Sequence, residues 1–194
     1  MWRIFLSLPL PTAVVDELQQ LQRELSAGLR EGSVNWTRPE QMHLTLRFFG
    51  DVPRVRVEEI EKAVMAVCTD VVPFPLWARQ VGFFPNPRHP KIIWVGVDDA
   101  GNRLAPLRAA VNEAIRSITP VSDEEKDFRG HLTIGRIRRI DRRGIKSLAE
   151  AAERASCRRF GNWTADRIEI IRSELDPGGS RYTCLASIGL RRQG

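Results

Sequence analysis

The sequence predicts an α+β fold in which two copies of one sheet-and-helix unit pack about a pseudo-twofold axis, giving a bilobal molecule around a central groove. Three observations carry this. Segments that alternate with period two and segments with apolar residues three and four apart both occur. The same order of segments occurs twice at a nearly constant offset. Two of only three histidines, His43 and His131, open almost the same tetrapeptide, HLTL and HLTI.

Residues 2–8 read as a first strand. Their apolar run is short and stops at Pro9 and Pro11 without a small-residue cleavage site, so a strand is expected here rather than a signal peptide. From Pro11 to about Leu29 the apolar spacing is helical, with proline at the start and Gly28 near the end. MHLTLRFFG alternates and closes on Gly50-Asp51, which marks a strand, and residues 54–68 read as a helix. FPLWARQVGFF and KIIWVGV then form two strands around the proline-rich connector PNPRHP. In the second half NRLAPLRAAVNEAIRSI is a helix, GHLTIGRI a strand and RRGIKSLAEAAERA a helix. ADRIEIIRSEL and RYTCLASIGL are strands joined by DPGGS.

Each half thus reads helix, histidine strand, helix, strand, strand. The offset is 88 from His43 to His131 (131 − 43), from Arg54 to Arg142, and from Trp94 to Tyr182. An internal repeat is the economical account. The expected units are about 11–98 and 102–190, within one domain spanning 1–194.

Composition narrows the setting. The 194 residues are 42% hydrophobic and 28% charged, enough for a sizeable core without disulfides. Cys68, Cys157 and Cys184 are far apart and form no CxxC pair, so buried thiols in a reducing cytoplasm are expected. No segment is apolar enough to cross a bilayer. Thirty basic against 24 acidic residues give a net charge of +6, a sign that favours a polyanion such as RNA.

In a strand, residues i and i+2 share a face. His43 therefore stands beside Thr45, and His131 beside Thr133, while Leu44, Leu46, Leu132 and Ile134 point to the core. Two facing copies supply two imidazoles and two hydroxyls around one small volume. That set suits in-line displacement at phosphorus: one imidazole takes a proton from the attacking oxygen and the other gives one to the leaving oxygen. The threonines would donate to phosphoryl oxygens as charge develops. No metal or other cofactor is required, and neither motif has neighbouring metal ligands. A GxSxG elbow is absent, which leaves serine hydrolysis without support.

On these residues the chain resembles the 2H phosphoesterase superfamily, whose mark is a pair of His-x-Thr-x motifs. FFPNPRHPKIIWVGV and SELDPGGSRY make it most similar to the RNA 2′,3′-cyclic phosphodiesterase branch, historically the 2′-5′ RNA ligase family. The similarity runs from RIFLSLPLP to SELDPGGSRY; one departure is Gly130, where the branch usually has proline before the second motif. The resemblance implies motifs on facing strands of a groove, and metal-independent opening of a 2′,3′-cyclic phosphate at an RNA 3′ end to leave a 2′-phosphate. tRNA fragments are among the candidate RNAs, and a monomer is expected. By motif position His43 would be the proton donor and His131 the proton acceptor; the residues by themselves leave these roles open.

Arg47 continues the period from His43 and Thr45 and is a candidate phosphate contact. Gly135 holds the matching place and would leave room for substrate, whereas Arg136 points to the other face unless a bulge intervenes. Phe49, Phe83, Phe84, Trp94 and Tyr182 include candidate platforms for a terminal base, and Arg88 and His89 lie in the stiff connector. The sequence is also compatible with three other readings: 2′-5′ ligation by the reverse chemistry, action on a small cyclic nucleotide or ADP-ribose cyclic phosphate, and a non-catalytic RNA-binding module.

Overall fold

The computed structural model describes residues 1–119, 128–176 and 179–191. Nine strands are defined: β1 (Trp2–Pro9), β2 (Val34–Trp36), β3 (His43–Val52), β4 (Phe74–Phe84), β5 (Ile92–Asp98), β6 (His131–Ile137), β7 (Arg159–Ala165), β8 (Arg167–Asp176) and β9 (Gly179–Gly189). Among the described residues four α-helices are defined: α1 (Thr12–Ser26), α2 (Val57–Cys68), α3 (Leu104–Ala114) and α4 (Arg142–Arg154). Pro177 and Gly178 of the DPGGS connector lie outside the described residues.

The strands form one curled antiparallel sheet in the order β7-β4-β5-β6-β3-β1-β8-β9, with β2 paired to the end of β6. Apart from β2, it consists of two four-stranded halves that meet at a single residue pair, Leu44 opposite Leu132. Helices α1 and α4 cover the half containing β7 and β4; α2, with α3 beside it, covers β8 and β9. The apolar stripe of α1 (Val14, Leu18, Leu21, Leu25) is buried, as its spacing requires. Asp141 starts α4 by accepting a hydrogen bond from Gly144 N at 2.7 Å.

Some elements depart from the sequence reading. The third helix ends at Ala114, and residues 115–119 continue as tighter turns in which Ile118 N donates to Ile115 O at 2.9 Å. The strands β2 and β7 were not expected. The first has three residues, too few to show alternation, and the second carries Gly161 at φ +110° in its middle. Of the thiols, Cys68 is buried, but Cys157 and Cys184 are exposed, one just past α4 and one on the outermost strand. Among the described residues no helix is long and apolar enough to cross a membrane.

Candidate functional site

The Leu44–Leu132 pair sits at the centre of the sheet, and both leucines are fully buried. In an antiparallel pair, a local twofold passes between residues directly opposite each other. It relates His43 to His131 and Thr45 to Thr133, the residues that flank the two leucines on the other face. All four are partly exposed and line one cavity of about 490 Å³. The structure thus brings together the four residues that the two tetrapeptides single out.

Both imidazoles are fixed in the same way. His43 Nδ1 lies 2.7 Å from Gln41 O, and His131 Nδ1 lies 2.8 Å from Arg129 O. A main-chain carbonyl only accepts, so each Nδ1 carries hydrogen and each Nε2 is left as the nitrogen that gains or loses a proton. The two carbonyls are themselves 88 residues apart (129 − 41). The surroundings then diverge. His43 stacks on Phe5 (centroids 4.7 Å) with Tyr182 edge-on at 5.6 Å, and its Nε2 accepts from the Thr45 hydroxyl at 2.9 Å. Burial lowers the His43 pKa to about 4; the Gln41 carbonyl works against this and the charge on His131 works with it. His131 is bordered edge-on by Phe84 at 5.1 Å and Trp94 at 6.5 Å.

Beyond the tetrapeptides the strict period breaks at equivalent places in β3 and β6, and β3 shifts once more at Phe49. The β1–β3 register skips Leu46, and the β5–β6 register skips Ile134, 88 residues on. Each is a bulge, in which one extra residue re-aims those after it. Each bulge carbonyl accepts from a helix side chain: Leu46 O from Arg108 Nε at 3.0 Å, and Ile134 O from Gln22 Nε2 at 2.8 Å. The bulge takes Arg47 off the face of His43 and Thr45, where continued alternation would have put it, and sets it opposite buried Leu6; from there it still borders the cavity. It is 3% exposed, donates to Asn112 Oδ1 at 2.8 Å and stacks over Phe49. Arg136 also lines the cavity, the case in which a bulge intervenes. Gly135 does not make room for substrate: a Cβ there would lie 2.9 Å from Val34 Cγ1 and 3.0 Å from Trp36 Cε3, so β2 takes the space. At Gly130 the carbonyl accepts from Val97 N at 2.9 Å, and the Leu104 side chain occupies the place of a Cβ.

Sequence reasoning missed much of the wall. Arg38 and Arg108 join Arg47 and Arg136, and among the described residues that line the cavity there is no aspartate or glutamate. Among the described residues no group of three or more His, Cys, Asp or Glu side chains is placed to hold a metal ion. Of the expected aromatic platforms Tyr182 lines the cavity, whereas Phe84 and Trp94 border His131; the further aromatic walls are Trp36, Phe48 and Phe128. Phe48 is 58% exposed, and the sequence signal for it was an aromatic directly after the alternating run. His89 is exposed in the connector and is not part of the lining.

A family model described as LigT like phosphoesterase matches residues 8–94 and again residues 95–182. A Methanothermobacter thermautotrophicus protein named RNA 2′,3′-cyclic phosphodiesterase is 31% identical over 182 residues, covering 93% of this chain and 95% of its own. An Archaeoglobus fulgidus protein of the same name is 29% identical over 180 residues, covering 93% and 96%. The crystal structure of TT0787 of Thermus thermophilus superposes with a TM-score of 0.81 at 23% identity, over 99% of this chain and 100% of that one, and so shares the fold.

Proposed function

The chain belongs to the LigT like phosphoesterase family, and from that premise we propose that it hydrolyses the 2′,3′-cyclic phosphate at an RNA 3′ end, leaving a 2′-phosphate. One observation carries the reading. Two imidazoles with the same tautomer, related by a local twofold, share a cavity with four arginines and, among the described residues that line it, no carboxylate. Such a wall attracts a phosphodiester and offers acid and base without a metal. The names of the relatives supply the substrate class.

In the proposed step water attacks phosphorus and the bond to the 3′ oxygen breaks. His131 Nε2 takes the proton from water, and His43 Nε2 gives one to the departing 3′ oxygen. Thr45 and Thr133 donate to the non-bridging oxygens, and Arg47 offsets their charge. Since the resting His43 is held neutral, it acquires its proton together with the anionic substrate, whose charge favours the imidazolium.

A specific observation favours a second reading with the roles exchanged. A buried imidazole held neutral and accepting from Thr45 is in the state of a base. Leaving-group replacement decides between them. In the first reading, a cyclic phosphate with a good leaving group rescues His43→Ala and not His131→Ala; rescue of His131→Ala alone reverses the roles. The activity itself is tested by turnover, with EDTA present, of an oligonucleotide ending in 2′,3′-cyclic phosphate. Unaltered substrate after long incubation would defeat the proposal.

A further inference from the structure

The strand that carries His131 leaves the cavity through a run of cations. Between 136 and 146 six of eleven residues are basic (Arg136, Arg138, Arg139, Arg142, Arg143 and Lys146), and Asp141 is the sole acid. All six are exposed. Arg136 stands on the cavity wall. Arg138 and Arg139 follow in the bend after β6, where both main-chain N–H groups donate to Ser33 O at 2.9 and 3.3 Å, so the bend is fixed. Arg142 and Arg143 open α4. Asp141 offsets little of this, since one of its oxygens caps Gly144 N and the other lies 3.9 Å from Arg30, a further cation. Lys146 faces Glu150 at 3.8 Å, so the ridge proper is the five arginines.

These arginines do not serve the helix. A helix N-terminus carries partial positive charge and favours acids, yet the first turn of α4 has no acid and two arginines. The other repeat is an internal control. Subtracting 88 from the five positions gives Phe48, Gly50, Asp51, Arg54 and Val55, and α2 opens with Glu58 and Glu59. The same fold is built there with one arginine in five, and that one stacks on Trp2. The ridge therefore answers to something outside the fold.

We propose that this ridge binds the backbone phosphates of the RNA that lie 5′ of the cyclic end, which makes an oligonucleotide a better substrate than a small cyclic nucleotide. The inference rests on the proposed activity for its substrate. The ridge is within reach: β6 runs about 20 Å from His131 to Ile137 at roughly 3.3 Å per residue, and the ridge begins where it ends, so a few nucleotides 5′ of an end held in the cavity suffice to span the distance. Arginine suits this work because its planar fork meets phosphate oxygens in pairs.

The test is a fourfold variant, Arg138→Gln with Arg139→Gln, Arg142→Gln and Arg143→Gln, which leaves the cavity wall intact. Its affinity for a labelled RNA of about twelve nucleotides ending in 3′-phosphate is measured across salt concentrations. Four lost phosphate contacts should reduce the slope of log affinity against log salt by about 3, at roughly 0.7 per contact with a single strand. The KM for the matching cyclic-ended RNA should rise by about tenfold or more, with kcat/KM for a 2′,3′-cyclic mononucleotide within about twofold of wild type. The melting temperature should hold or rise, because two cations leave a helix N-terminus. An unchanged salt slope, with both substrates still cleaved, overturns the ridge and leaves the activity. A reduced slope in a protein that cleaves neither substrate keeps the ridge and removes the activity. A variant that loses binding and melts lower also overturns it, since the arginines would then be serving the fold.

Discussion

At the scale of single residues the site is a matched pair made unequal by its neighbours. Histidine and threonine two apart on a strand were legible in the sequence because period two is all that their alignment needs. The carbonyls of Gln41 and Arg129 that set both tautomers were not, since a main-chain acceptor leaves no mark on residue type. Thr45→Val and Thr133→Val test the hydroxyls. Deleting one donor aimed at developing phosphoryl charge should slow kcat by about 10²–10³, and near-wild-type turnover in both variants would make the threonines structural. A second prediction concerns pH. The ordinary imidazole value is 6.5, and His43 in the folded chain is pushed down to about 4 by burial. Between those values the unfolded chain holds a proton that the folded chain does not, so stability rises with pH across the window. The contribution of His43 is complete above 6.5 and lost as pH falls toward 4. His43→Asn, which keeps a donor near Gln41 O, should show a smaller fall in urea midpoint over this range than wild type. Parallel profiles would mean that His43 is not held neutral by the fold.

At the scale of elements the paired bulges do what alternation cannot. A strictly alternating β3 would bury Leu46 and aim Arg47 as a simple neighbour of Thr45. The extra residue keeps Leu46 buried, sets Arg47 opposite Leu6 where it is also buried, and turns Phe48 to the face of Thr45, so that all three border the cavity. One inserted residue changes neither hydrophobicity nor composition, so the sequence showed both strands and neither bulge. For the same reason Gly135 read as room for substrate, although Trp36 from the unforeseen β2 fills that place. Gly135→Val tests the arrangement. Its added methyls meet Val34 and Trp36, and overpacking of this kind costs about 1–3 kcal/mol. As Trp36 is a wall of the cavity, KM should rise more than kcat falls. A variant as stable as wild type, with unchanged KM, would show that β2 yields freely and does not shape the site.

At the scale of the whole molecule the repeat in the sequence and the halves of the sheet divide the chain differently. The constant offset was legible because equivalent segments kept their spacing. The crossing of strands between copies was not, since pairing partners are distant in sequence and no residue type names them. Trp94 and Tyr182 show the consequence: 88 residues apart, each meets a histidine edge-on, yet Trp94 pairs directly with β6 while Tyr182 lies on the far side of β8 and β1 from β3. Residues 1–98 contain β1 and β3 of one half-sheet and β4 and β5 of the other. Within that stretch Ile4, Leu6 and Leu8 are buried in the first half, and Phe74, Leu76 and Ala78 in the second. Cut off from the rest, β1 lacks β8, β5 lacks β6 and β4 lacks β7, so two apolar faces are each left half covered. Burial of such faces is what offsets chain entropy, and neither partial core is large enough to do so alone. Residues 1–98 produced by themselves should therefore show no cooperative urea transition and no dispersed amide spectrum. Mixed in equal amounts with residues 99–194, they should regain both, together with whatever phosphodiesterase activity the intact chain has. A fragment 1–98 that unfolds cooperatively on its own would mean that each sequence repeat is a folding unit and that the crossed strands dock afterwards.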